Sequence, residues 1–306
     1  MKISDSVYSE STIYAFKKIF FTPSLRPAFF KCVPTIIINF FLSQFYNAFL
    51  PGRLPVAKVD HSLDEKIPFV PSWVAIYIDF TQFWIRILTF FTRRYGRRSY
   101  KPISDFIISM GDLYAFAAQV YKKNLSTTKR PFYIARPLFS VIHLLDPHLF
   151  CVPSLHVMVV IHAYKQFIEI AKGLGEEEKL KDQIEELKQG ALAISQAILF
   201  IKQHSVNCMP AAFYAMTNFS PDLFPQKEAE DFTNLLFSPA PPKEKAPQDS
   251  RVHPAASPST RISEEDQAQI KKHILSLYRQ FLAEQDSSRP WYEPLLRFMQ
   301  SMPKVR

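Results

Sequence analysis

Apolar residues come in long runs along this chain, separated by short polar breaks. Runs over about 28–50, 72–92, 102–121 and 154–172 are each of membrane-spanning length, since roughly 20 apolar residues cross a hydrocarbon core of about 30 Å. A further stretch over about 190–220 is long for one span, and His204 and Pro210 are expected to divide it in two. The pattern therefore predicts an all-α, integral membrane six-helix bundle over 28–222. Asp105 and Asp112 make the third run the weakest, because charges within a span face a bundle interior or water. Trp73 and Tyr77 sit near one edge of the second, where amphipathic rings favour the interface.

Outside these runs the pattern is more polar. Residues 1–27 are mixed, and YAFKKIFF suits a short amphipathic helix on the membrane surface. The charges of GEEEKLKDQIEELKQG over 175–190 predict a solvated hairpin or short helix. The region 223–262 reads as a disordered linker, with Pro, Ser and charge densest over 239–260. In the tail, 263–306, Ser263 before Glu264-Glu265-Asp266 is a helix start. Apolar positions at 270, 274, 275, 277, 278, 281 and 282 then make that helix amphipathic, suited to a membrane surface or a partner. Few apolar residues beyond 235 are expected to join the bundle's core. There are no internal repeats.

Composition alters this picture little. The 306 residues carry a net charge of +9, but the mean hydropathy of −0.06 averages a greasy first two-thirds with a polar tail. The basic residues cluster beside apolar runs and no nucleic-acid motif is present, so anionic lipid headgroups account for them better than nucleic acid. RRYGRRSYK at 93–101 holds five basic residues in nine, which by the positive-inside rule makes it a cytoplasmic loop. Alternating spans then put 122–153 and the turn at His204 on the extracytoplasmic face and the C-terminal tail in the cytoplasm. Cys32, Cys151 and Cys208 form no metal or disulfide pattern. Residues 1–26 lack the apolar core and small-residue cleavage site of a secretory signal.

The candidate chemistry lies on the polar breaks. Lys129 precedes Arg136-Pro137 by seven residues, Pro153-Ser154-Leu155-His156 follows, and IKQHSVNC occupies 201–208. Two cations, a hydroxyl and two imidazoles are suitable for gripping and cleaving a phosphate ester. Taken singly, Lys129 and Arg130 also read as interfacial anchors, and Ser154 as the cap of a helix beginning at 155. His162 reads as a polar-core residue. Nothing marks His143 or His148 as catalytic.

The order and spacing resemble the type 2 phosphatidic-acid phosphatase superfamily, whose signatures are K-x6-R-P, P-S-x-H and S-R-x5-H-x3-D. The first two are matched letter for letter, the third only at His204. The resemblance covers roughly 50–220, and LDEKIPFVPSW resembles a stretch in the branch related to inositol phosphorylceramide synthases. It implies a metal-independent lipid phosphatase or phosphotransferase that needs no cofactor and acts on a lipid phosphate in the bilayer. By that resemblance His204 is the nucleophile, His156 the general acid, and Lys129, Arg136 and Ser154 bind phosphate. Ala197-Ile198 stand where the family has Ser-Arg, and Lys202, in a K-Q-H form found in some branches, would supply part of the missing charge. Cys208 occupies the position of the Asp that orients the nucleophile; a thiol is a weak partner, and Asn207 is the nearest substitute. A non-catalytic protein that keeps the fold is the alternative reading, with a vanadate-binding oxidase of the same superfamily a distant third.

Overall fold

The computed structural model describes residues 5–50, 52–131, 133, 139, 146–238 and 261–305. Arg136, Pro137, His143 and residues 239–260 of the linker predicted over 223–262 lie outside the described residues. Within that linker Gln226–Leu235 is helical and buries Ala229 and Phe232, which corrects the expectation of disorder there.

Ser11 starts the first helix, α1 (Thr12–Phe21), by accepting the Tyr14 N–H on its side chain. Next comes α2 (Arg26–Ile36), which carries Pro34 inside it and continues through a wide turn at Ile37–Leu42 into α3 (Ser43–Phe49). Together they form one 24-residue rod, Arg26–Phe49, of mean hydropathy 1.4. A short helical turn leads into α4 (Val74–Ile78) and α5 (Phe80–Tyr95). The chain then reverses at Gly96, whose φ of +54° favours a residue without Cβ, and enters α6 (Tyr100–Tyr121). Among the described residues, two stretches are long and apolar enough to cross a membrane, Arg26–Phe49 and Pro71–Tyr121. They differ in setting: 17% of the first is buried within the protein but 61% of the second.

The remaining helices are α7 (Leu155–Leu174), α8 (Lys181–Phe200), α9 (Cys208–Phe219), α10 (Gln226–Leu235), α11 (Glu264–Ala283) and α12 (Glu293–Ser301). Helix α7 is the centre. Every residue from Leu155 to Tyr164 is buried, and α5, α6, α8 and α9 surround it. Two three-residue strands interrupt the helical pattern: β1 (Val56–Lys58) runs parallel to β2 (Leu125–Thr127), with Lys58 opposite Thr127. This ribbon ties the segment before α4 to the one after α6.

Two further expectations are corrected. Of the solvated hairpin or short helix expected over 175–190, a helix forms, but it is neither short nor fully solvated. Only Gly175–Leu180 turns, and α8 starts at Lys181 and runs unbroken to Phe200. The N-terminal residues cover it, because the Glu186 carboxylate accepts the Val7 N–H at 2.9 Å and the Ser6 hydroxyl, satisfying groups that would otherwise be orphaned in the interior. The tail likewise joins the core. Helix α11 buries Ile270, Ile274, Leu277, Tyr278 and Phe281 against α9 and α10, and α12 buries Leu295 and Met299. Its apolar stripe is matched by a complementary one on α9, so the amphipathic face finds its partner within the chain.

Candidate active site

Two turns bring the imidazoles together. Backbone geometry makes Ser154 the N-cap of α7, yet its hydroxyl makes no capping bond; instead Ser154 Oγ lies 3.5 Å from His204 Nε2. His156 follows in the first turn of the helix. The opposite turn, 201–207, forms because Gln203 and His204 both donate their N–H to the Ile198 carbonyl as α8 ends, with Lys202 in the left-handed region at φ +55°. His204 Nε2 then stands 3.3 Å from His156 Nδ1, across 48 residues of sequence. The rings meet edge to face at 69°, and Tyr77 and Phe80 close over His156 at 4.5 and 4.3 Å between centroids.

One proton must lie between those two nitrogens, on one ring or the other. Burial holds the His204 imidazole well below its ordinary pKa, reinforced by His156 and by the Arg130 charge and opposed by Asp146 and the nearby Cys151 carbonyl. A neutral, nucleophilic ring follows. That carbonyl stands outside hydrogen-bond geometry, so the buried His204 Nδ1 has no partner among the described residues. Cys208 makes no hydrogen bond to the ring. Asn207 does not substitute, because its side chain donates to the Val59 carbonyl and meets His273.

The cations are placed differently from the spacing-based expectation. Arg130 Nη2 pairs with Asp146 Oδ2 at 2.6 Å, and its charge reaches both histidines. Asp146 also accepts the His148 N–H and the Gln44 amide, both at 2.9 Å. The His148 ring lies 6.2 Å from His204 and meets Thr128 Oγ1 at 2.8 Å. Lys129 instead lines a separate outer cavity of about 770 Å³ together with Lys58 and Lys202. Lys202 Nζ is spent on the backbone carbonyls of Asp64 and Ile67, so its expected role as a phosphate ligand beside His204 is corrected. Arg136 lies outside the described residues. His162 bonds Ser109 Oγ at 2.9 Å between α6 and α7, a packing position.

Arg130, Asp146 and His148 are thus the neighbours that spacing did not single out. The sequence signal for Asp146 and His148 was the Asp-Pro-His break in an apolar run, and Arg130 was visible only as a basic residue beside Lys129. The cavity at the histidines measures only about 10 Å³, the space of roughly one water. Among the described residues, no group of three or more His, Cys, Asp or Glu side chains is arranged to hold a metal.

No family model, no curated protein and no solved structure matches this chain.

Proposed function

We propose that this protein cleaves a lipid phosphate ester through a phosphohistidine on His204. The observation that carries the reading is the 3.3 Å contact between His204 Nε2 and His156 Nδ1, with Ser154 beside it. The His204 lone pair attacks phosphorus and the ester P–O bond breaks. His156, entering as the imidazolium that the bound phosphate charge stabilises, gives its extra proton to the departing alkoxide, and then, as the neutral base, takes a proton from the water or alcohol that removes the phosphoryl group. Hydrolysis and transfer share the first half of this scheme. Among the described residues Arg130 is a cation whose charge reaches both histidines and so the developing charge, a role that resemblance gives to Arg136. Opening the small cavity, which Gln44 lines, is a required part of the cycle.

A lipid substrate is supported by the rod Arg26–Phe49. It turns Phe40 and Gln44 toward the histidines and leaves Ile37, Ile38, Phe41 and Leu42 exposed for acyl chains. The membrane arrangement belongs to the same proposal: a six-helix bundle whose histidines open to the extracytoplasmic side. In its support, α2 and α6 run in parallel register, Lys31 beside Asp112 and Asn39 beside Lys122. The basic turn at 93–101 and the histidine pair therefore fall toward opposite ends.

The unpartnered His204 Nδ1 and the closed cavity favour a second reading, a non-catalytic protein that keeps this fold. Phosphate release from a short-chain phosphatidic acid by detergent-purified full-length protein separates the two. The first reading expects turnover that is lost in His204→Ala and His156→Ala with folding intact. Turnover that survives His204→Ala removes the nucleophile, and inactivity of the native protein on several lipid phosphates favours the second.

A further inference from the structure

The basic turn between α5 and α6 has uses for most of its charges. Arg93 binds Glu10 at 2.8 Å, Arg94 binds Asp5 at 2.9 Å, and Arg98 donates to the Leu174 carbonyl at 3.2 Å, near the end of α7. Lys101 meets Asp105 one turn on, but both are more than half exposed and such pairs hold weakly. Among the described residues, the Arg97 guanidinium makes no hydrogen bond or ion pair. Arg97 and Lys101 face a cleft of about 640 Å³, opposite the turn joining α1 to α2, where Thr22, Ser24 and Ser104 supply hydroxyls. Phe21 forms the lip.

This cleft opens at the edge of the greasiest surface of the molecule. Among the described residues, every large apolar side chain that is exposed lies between Ile13 and Leu50, except Val305. Phe21, 74% exposed, lines the cleft, and Phe20, 54% exposed, packs edge-on against the Phe21 ring. A free guanidinium, a weakly paired ammonium, hydroxyl donors and adjoining apolar rings are the complement of an anionic phospholipid: phosphate below, acyl chains alongside.

We infer that the cleft between the α1–α2 turn and the start of α6 binds the headgroup of an anionic phospholipid. Arg97 and Lys101 hold its phosphate, while Phe20, Phe21 and the exposed flank of α2 receive its chains. The site lies away from the histidine pair and does not rest on phosphoryl transfer. An unpaired Arg beside three hydroxyls has no structural task in the fold, whereas its neighbours each have one. Guanidinium geometry suits two phosphate oxygens at once.

Native mass spectrometry of the full-length protein, titrated in detergent with phosphatidylglycerol or phosphatidylcholine of equal chain length, tests this. The expected result is preferential retention of phosphatidylglycerol, weakened about tenfold or more in Arg97→Glu combined with Lys101→Glu. It should be unaltered in Lys272→Glu, a charge reversal on the exposed face of α11, and inorganic phosphate should not displace it. Wild-type fluorescent phosphatidylglycerol binding should also weaken as salt rises, a readout independent of the variants' folding. Equal retention of both lipids, insensitivity to the double reversal or to salt, or displacement by inorganic phosphate would each overturn the inference.

Discussion

His273 on α11 and Asn207 in the turn that carries His204 are joined by a hydrogen bond of 2.8 Å between Nε2 and Oδ1. The Asn207 amide nitrogen already donates to the Val59 carbonyl, so its oxygen faces His273 and the imidazole donates. The tail is thereby bonded to the turn beside the candidate nucleophile, and His61 stacks on His273 at 4.0 Å.

Removing the tail should therefore unsettle the whole molecule. A chain ending at residue 238 would bare the α9 face that covers Ile274, Tyr278 and Phe281, and would lose the bonds of Tyr278 to Thr217 (2.8 Å) and of Tyr214 to the Trp291 carbonyl (2.6 Å). Size-exclusion chromatography in detergent should show aggregation in place of one symmetric peak. The single change Ile274→Ala should cost about 2–5 kcal/mol in chemical denaturation.

Acid should loosen the same contact. Burial, with the His61 charge, lowers the His273 pKa to about 4, against an ordinary value of 6.5. Below about pH 6.5 the unfolded chain binds a proton that the folded chain refuses. The stabilisation is therefore full above 6.5 and is lost as pH falls toward 4. His61, Glu284 and Arg297 line the cavity with His273, and of these His61 acts on its charge. Tm should fall more steeply between pH 6.5 and 4.5 in the native protein than in His273→Gln, which retains a donor for Asn207.

Arg130 and Lys129 are adjacent, yet their substitutions should separate. Arg130→Ala removes the charge that reaches both histidines and leaves Asp146 unpaired, so phosphate release should fall about tenfold or more, near 1.4 kcal/mol in the barrier. Lys129→Ala empties part of the outer cavity and should change kcat/KM by less than about threefold. Equal losses would mean that the outer cavity belongs to the reaction path.

Within α5 an ion pair is buried that the apolar run concealed. Arg86 grips both oxygens of Asp79 at 2.7 Å, each residue nearly inaccessible, and its guanidinium lies over the Tyr8 ring. Asp79→Ala leaves that cation buried and unpaired. Denaturation should report a loss of about 3–5 kcal/mol, while replacing both partners by apolar residues should cost much less.

Helix positions were legible in this chain because their signals are local. Apolar runs marked most of the helices, Ser263 marked the start of α11, and the polar break at His204 marked the turn between α8 and α9. Spacing also singled out His156 and His204, since polar groups on breaks between apolar helices collect at the bundle's ends. Which way a side chain points is decided by neighbours far away in sequence. Lys129 and Arg130 are consecutive, and only the β1–β2 ribbon, which sets Asp60 against the Lys129 amide, turns one outward while Asp146 holds the other inward. Lys202 matched a motif by position, but the Asp64 and Ile67 carbonyls in the 62–67 segment capture its amine. The tail's apolar stripe required burial without naming a surface, and the vacant face of α9 provided one. An amphipathic pattern fixes how much area must leave water, whereas complementary shape chooses where it goes.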